Sequence, residues 1–89
     1  MQITEIKIRK LLDQGRLRAV VSVTFDGVFA VHDIKVVQGD ERLFVAMPSR
    51  REQDGTFRDV VHPISAEFRQ MTEQAVIERY KSVLGEKSS

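Results

Sequence analysis

Two histidines and the carboxylate beside one of them are the first candidates for chemistry in this chain. His32 precedes Asp33, and His62 precedes Pro63. A histidine oriented by a carboxylate can act as a general base. Neighbouring residues of a strand point to opposite faces, however, so His32 and Asp33 are not expected to pair. His62, at a strand end, is expected to cap or pack. We therefore predict no catalytic residues and no enzyme activity.

Other patterns for catalysis, metals and phosphate loops are missing from the sequence. Ser22, Ser49 and Ser65 lack the Gly-x-Ser-x-Gly surroundings of a nucleophile. Two distant histidines among scattered acids do not form a spaced metal-ligand set. The 5 glycines stand singly, without a dinucleotide-binding or Walker pattern. No metal, no cofactor and no small-molecule substrate is expected.

Basic residues in three regions are the remaining candidates, and the chemistry that they suggest is nucleic-acid binding. The candidate nucleic-acid-binding residues are Lys7, Arg9, Arg50, Arg51, Arg69, Arg79 and Lys81. The planar guanidinium of arginine can donate two parallel hydrogen bonds to a phosphate. A solvated surface with ordinary ion pairs, such as Glu78 with Lys81 on a helix, is the alternative, and it stays open.

The overall charge gives little support to nucleic-acid binding. The formal net charge is +1, from 14 basic and 13 acidic side chains, whereas a markedly basic domain is typical of this function. Binding would therefore depend on how the charges are distributed in space. Two adjacent arginines, Arg50 and Arg51, lie in a segment that composition predicts to be an exposed loop, with Arg58 just beyond it.

Length and composition predict one folded domain. The chain has 89 residues, 42% hydrophobic and 30% charged, which suits a single domain over residues 1–85 with a frayed tail at 86–89. The absence of cysteine excludes disulfides and thiolate metal sites. The chain begins without a signal-peptide pattern and has no apolar run long enough to span a bilayer. We expect a cytoplasmic protein with no membrane association.

Alternating and β-branched segments predict a strand-rich fold. The predicted strands are residues 5–10, 17–25, 28–37, 43–47 and 57–64. Asp26-Gly27 predicts a two-residue hairpin turn, and the apolar run at 28–37 predicts a central strand covered on both faces. Residues 48–56, with the turn Asp54-Gly55, are predicted to form an exposed loop.

One helix is expected at the C-terminal end. Ser65 is a suitable N-cap, and Gly85 is the predicted stop after about residue 84. The predicted apolar arc consists of Phe68, Met71, Ala75, Val76, Tyr80 and Val83. The sequence therefore predicts an α+β fold, an antiparallel sheet of about five strands followed by one C-terminal helix packed on it.

Three stretches carry a resemblance to a known family. They are Val-His-Asp-Ile at residues 31–34, Leu-Phe-Val-Ala-Met-Pro-Ser at 43–49, and Phe-Arg-Asp-Val-Val-His-Pro-Ile at 57–64. With the opening strand Ile6-Lys7-Ile8-Arg9 and the Asp54-Gly55 turn, they resemble the stage V sporulation protein G (SpoVG) family. The family commonly has Lys-Arg where this chain has Arg50-Arg51, and many members carry a longer acidic tail.

The resemblance implies a bacterial regulator associated with sporulation and control of septation. Family members are dimeric and bind DNA and RNA, so it implies a homodimer with a nucleic-acid partner. An unpaired strand edge and a small core also favour pairing with a second copy. A protein-interaction module in cell-division control, without nucleic-acid contact, is the alternative.

Overall fold

The computed structural model describes residues 1–88, and side chains as far as Gly85. The elements in chain order are β1 (Ile3–Leu11), β2 (Leu17–Phe25), β3 (Phe29–Gln38), β4 (Leu43–Ala46), β5 (Ser49–Arg51), β6 (Phe57–Asp59) and α1 (Ala66–Ser88). Strands β1 to β4 form one antiparallel sheet in chain order, and β5 pairs with β6 in a separate sheet. The predicted α+β class with one C-terminal helix is confirmed, but the strands divide into sheets of four and two.

The core lies between α1 and one face of the larger sheet. Val21 and Val23 of β2 are fully buried on this face, as is Val76 of α1. The rings of Phe25 and Phe68 pack together with centroids 5.6 Å apart. Because side chains of a strand alternate between faces, the intervening residues of β2 point away from the helix.

Strand β3 is central in the sheet but is not covered on both faces, so that prediction was wrong. Phe29 at the start of β3 is 54% exposed and His32 is exposed, whereas Ile34 and Val36 are buried. Only α1 packs against the larger sheet as a helical layer among the described residues. An uninterrupted apolar run indicates a strand, but it does not tell how many layers cover that strand.

The turn between β2 and β3 is confirmed. Asp26 and Gly27 have φ angles of 53° and 68°, and Val28 N–H donates to the carbonyl of Phe25 at 3.1 Å. Two successive positive φ angles are the type I′ geometry, whose twist matches that of the flanking strands. The turn fixes the register that brings Val21 opposite Ile34.

A β-bulge interrupts β3 at its two chemically interesting residues. Val21 pairs with Ile34 and Val23 with Val31, so Ser22 opposes both His32 and Asp33. Asp33 has a φ of 63°, the left-handed conformation found at such bulges. The regular alternation that we expected for His32 and Asp33 therefore does not hold here.

The segment after β4 forms a short hairpin and not the predicted loop and long strand. Strand β5 occupies residues 49–51 of the predicted loop, and β6 ends at Asp59 instead of residue 64. Val60 N–H donates to the carbonyl of Pro48 at 2.7 Å and continues the ladder by one bond.

The start of α1 is as predicted, but its end is not. The Ser65 hydroxyl accepts a hydrogen bond from Phe68 N–H at 3.2 Å, as an N-cap does. The helix passes through Gly85 and ends at Ser88, so Gly85 is not the stop. Glycine disfavours a helix by only about 1 kcal/mol, and a following Glu-Lys pair favours one. The predicted frayed tail includes Ser89, which lies outside the described residues.

The buried face of α1 differs from the predicted arc at two positions. Met71 is 42% exposed, whereas Thr72 is 1% exposed and lies in the core face. The Thr72 hydroxyl donates to the Phe68 carbonyl at 2.8 Å, which removes the cost of burying it. No described helix is both long and apolar enough to cross a membrane.

Candidate nucleic-acid interface

Two exposed candidate residues, Arg50 and Arg51, lie on residues 49–59, which we call the arginine hairpin. All residues of β5 and β6 are exposed. Arg50 pairs with Arg58, and Arg51 pairs with Phe57. Paired residues share a face of a two-stranded ribbon, so Arg50 and Arg58 lie side by side and Arg51 lies on the other face. The sequence placed Arg50 and Arg51 together, but the register joins Arg50 to Arg58.

The turn of the arginine hairpin is held by Asp54. Its Oδ1 accepts from Thr56 N–H at 3.0 Å and from the Thr56 hydroxyl at 2.7 Å. The side-chain bond from Thr56, and then its backbone bond, lower the pKa of Asp54 below its usual value of 3.8. Gly55 has a φ of 89°, which the turn requires. These contacts fix the ribbon that presents the arginines.

The guanidinium groups of the arginine hairpin form no ion pair among the described residues, although Glu52, Asp54 and Asp59 balance their charge in the sequence of the hairpin. The ion pairs among the described residues are Arg16 with Asp40 and Arg42 with Glu73. Like charges directly opposite each other on a ribbon repel, so the Arg50–Arg58 pair is locally unfavourable. A bound polyanion would remove this repulsion, because each guanidinium can donate to a phosphate.

The basic residues of α1 lie in a mixed-charge environment. Arg69 and Lys81 line a shallow groove together with Glu73 and Glu78. Arg42 contacts Glu73 at 3.3 Å, while the expected pair of Glu78 with Lys81 does not form among the described side chains. Arg79 is exposed on the same helix but does not line this groove.

Lys7 and Arg9 lie on the sheet face that α1 does not cover, which we call the open sheet face. Lys7 pairs with Ser22, and Arg9 Nε donates to the Ser22 hydroxyl at 3.2 Å. Ser22 Oγ also lies 2.8 Å from His32 Nδ1. Because α1 covers the opposite face, one copy of the chain does not bring Lys7 and Arg9 together with Arg69, Arg79 and Lys81.

Two further cations lie on the open sheet face. Lys10 of β1 and Lys35 of β3 both pair with Val20 of β2, from opposite sides. Lys35 is not among the residues that the sequence predicts to bind nucleic acid. A cation in an otherwise apolar central strand is the signal that could have shown this face to be exposed.

The histidine contacts resemble structural contacts more than a catalytic arrangement. Ser22 is 6% exposed, and its oxygen also accepts from Arg9, so the hydroxyl is covered. His62 Nδ1 lies 3.1 Å from the Pro63 carbonyl oxygen, a local capping contact. Among the described residues, no group of three or more histidines and carboxylates is arranged to hold a metal ion.

An apolar groove lies on the helix side of the sheet, near the start of β3. It has a volume of about 570 Å³ and is lined by Phe29, Val31, Ile34, Ile64 and Phe68, among other residues. Ile64 is 96% exposed and the neighbouring Val60 is 63% exposed. Exposed apolar surface of this kind commonly marks an interaction site.

A four-stranded antiparallel sheet with one C-terminal helix packed on it, and a separate exposed two-stranded hairpin, defines a small α+β domain. A family model described as SpoVG matches residues 1–82. The chain therefore belongs to the SpoVG family, in agreement with the resemblance of its motifs.

Curated relatives from several bacteria support this membership. A protein named "Putative septation protein SpoVG" from Caldicellulosiruptor saccharolyticus is 52% identical over 84 residues, covering 94% of this chain and 96% of the relative. Proteins of the same name are 51% identical over 84 residues in Clostridioides difficile and 49% identical over 86 residues in Clostridium beijerinckii. These alignments cover 94% and 97% of this chain, and 91% and 94% of the relatives.

Proposed function

We propose that this protein is a cytoplasmic, dimeric regulator that binds DNA or RNA and acts in the control of septation or sporulation. The observation that carries the proposal is the cross-strand pair of Arg50 and Arg58 on a fully exposed ribbon, with no acidic partner among the described residues. The names of the relatives supply the link to septation.

The expected mode of binding is contact with the phosphate backbone. Two neighbouring guanidinium groups suit successive phosphates, and such contacts carry little sequence information. Affinity should therefore fall steeply as salt concentration rises. A two-fold dimer would present the Arg50–Arg58 pair twice, so that one nucleic acid could contact the pairs of both copies.

Self-association is proposed through the apolar groove and the exposed residues beside it. A two-stranded ribbon has little stability of its own, and both strands of the arginine hairpin are exposed in the single chain. Ile64, which follows β6, is 96% exposed and lines the apolar groove. A second copy covering it would bury apolar surface near the ribbon.

The test is an anisotropy titration of a fluorescent oligonucleotide with matched double variants. Arg50→Gln with Arg58→Gln removes the unpaired cations, while Arg16→Gln with Arg42→Gln removes the same charge from ion-paired positions. We expect the first variant to bind more weakly and to reduce the salt slope by about one to two, because roughly one counterion is released per phosphate contact. Equal losses in both variants would contradict the role of the hairpin.

A protein-interaction module in septation control is the second candidate function. The exposed residues Val28, Phe29 and Ile64 favour it, since an apolar patch also suits a protein partner. A pull-down from cell extract after nuclease treatment separates the two functions. Retention of cell-division proteins after the treatment supports the module, and loss of all partners counts against it.

A further inference from the structure

A second groove lies between the open sheet face and the base of the arginine hairpin. Its volume is about 570 Å³. Its apolar lining includes Val20, Ala30, Pro48 and Val60. The polar residues at the same groove are His32, Asp33, Lys35 and Ser49. Phe29, which is 54% exposed, also lines it. An apolar slot with an exposed aromatic ring and polar groups is suited to a flat heterocycle.

A hydroxyl at the bulge orients two side chains beside this groove. Ser22 Oγ accepts from Arg9 Nε at 3.2 Å and lies 2.8 Å from His32 Nδ1. The Nη groups of Arg9 have no hydrogen-bond partner among the described residues. Arg9 is therefore held through one nitrogen while its terminal amino groups stay available for an anion.

Cations extend from this point across the open sheet face. Lys10 and Lys35 flank Val20 in one row across three strands, and Lys7 pairs with Ser22 in a neighbouring row. The carboxylates in the same region are Glu5, which pairs with Thr24, and Asp33 at the bulge. The positive groups outnumber these acids, which gives the face charge complementarity to a phosphate chain.

We propose that the open sheet face binds single-stranded nucleic acid, with an unstacked base in the groove beside His32 and the flanking phosphates on Arg9 and the neighbouring lysines. The inference rests on the proposed function and adds to it the strandedness of the partner and a second contact surface. A base in a duplex is stacked and paired, so only a single strand can place one in the groove at little cost.

An acidic protein segment would match the cations but not the groove. Glutamate and aspartate side chains have no flat apolar ring to place between Val20, Pro48 and Phe29. Stacking on aromatic side chains is favourable for every base and requires no particular sequence. The observations therefore favour a nucleic acid as the occupant of this face.

The test compares three labelled probes by anisotropy: a short single-stranded oligonucleotide, an abasic oligonucleotide of the same length, and the duplex of the same sequence. The abasic probe keeps the phosphates and removes the bases. We expect wild-type protein to bind the base-containing single strand at least about fivefold more tightly than the abasic probe, as stacking of one base predicts. DNA and RNA versions of the single strand show whether the 2′-hydroxyl contributes.

Variants locate the effect on the open sheet face. Lys7→Gln with Lys35→Gln should weaken single-strand binding, while Arg16→Gln with Arg42→Gln, which removes the same charge elsewhere, should not. Circular dichroism confirms that each variant keeps its sheet. Competition with polyglutamate should be weak at a matched concentration of charge.

The outcomes separate this inference from the proposed function. If wild-type protein binds none of the probes, both are wrong. If it binds and the Arg50→Gln, Arg58→Gln variant is weakened, the proposed function stands. In that case, each of three results would overturn the inference alone. The first is equal affinity for the abasic probe, and the second is unchanged binding by the Lys7→Gln, Lys35→Gln variant. The third is equal competition by polyglutamate.

Discussion

The contacts of some residues in this chain are determined by their neighbours in sequence, and those of others by strand pairing. The Ser65 cap and the Asp26-Gly27 turn could be predicted, because each depends on a few neighbouring atoms. The partnership of Arg50 with Arg58 could not, because it depends on the register of two strands. The contact of Ser22 with His32 likewise depends on a bulge that no local sequence pattern indicated.

Two valines provide a matched test of the core at this scale. Val36 is 0% exposed and Val28 is 87% exposed. Val36→Ala should lower the free energy of unfolding by about 1–3 kcal/mol, because it removes buried methyl groups and leaves a cavity. Val28→Ala should change the free energy of unfolding by less than about 0.5 kcal/mol. Urea denaturation measures both, and similar losses would contradict the described core.

The Asp54 turn predicts a pH effect with a defined sign. Hydrogen bonds from Thr56 lower the pKa of Asp54 in the folded protein below 3.8. The stabilisation is therefore complete above that value and is lost as pH falls through the lower, folded pKa. An NMR titration of the Asp54 carboxyl should show a midpoint below 3.8. In Thr56→Val the midpoint should move up, and an unchanged midpoint would show that the side-chain bond has no effect.

The ends of strands and helices were predicted well where the sequence periodicity is clear, and poorly where contacts with other elements determine them. Strand β2 (Leu17–Phe25) was predicted with its observed ends, because alternation and two turns define it. The arginine hairpin was not, because three-residue strands are too short to show a period. The end of α1 was misplaced, since glycine is a common stop but not an obligatory one.

Two glycines test the ends of these elements with the same substitution. Gly27 has a φ of 68°, so Gly27→Ala should destabilise the protein by about 1–2 kcal/mol. Gly85 lies within α1 and has open space around its Cα, so Gly85→Ala should stabilise it by up to about 1 kcal/mol. Thermal unfolding followed by circular dichroism measures the two signs. A destabilising Gly85→Ala would indicate that the helix ends there.

At the scale of the whole molecule, one helix covers one face of the sheet and leaves the open sheet face and the apolar groove exposed. The basic groups divide between the open sheet face, the arginine hairpin and the outer part of α1. The sequence predicted three groups of basic residues, but not that α1 covers the sheet face opposite to Lys7 and Arg9 and so separates them from the basic residues of the helix. The apolar groove beside Ile64 was also unpredicted, because its lining comes from both ends of the chain and the middle.

Self-association is the prediction that belongs to this scale. Ile64→Lys places a charge at the apolar groove and should shift the protein from dimer to monomer, because burying an unpaired charge is unfavourable. Met71→Lys is the control, since Met71 is exposed on α1 but does not line the groove. Sedimentation velocity at micromolar concentration measures both. A monomeric wild-type protein would refute the dimer, and an unaffected Ile64→Lys variant would place the interface elsewhere.

The most direct test of the central claim is the salt dependence of nucleic-acid binding by the wild-type protein. The observed affinity for a labelled oligonucleotide is measured by anisotropy over a series of salt concentrations. Binding through the arginine hairpin predicts a linear fall of the logarithm of affinity with the logarithm of salt, with a slope of about 0.7 to 0.9 per phosphate contacted. Absence of binding at low salt, or an affinity that does not change with salt, would contradict the claim.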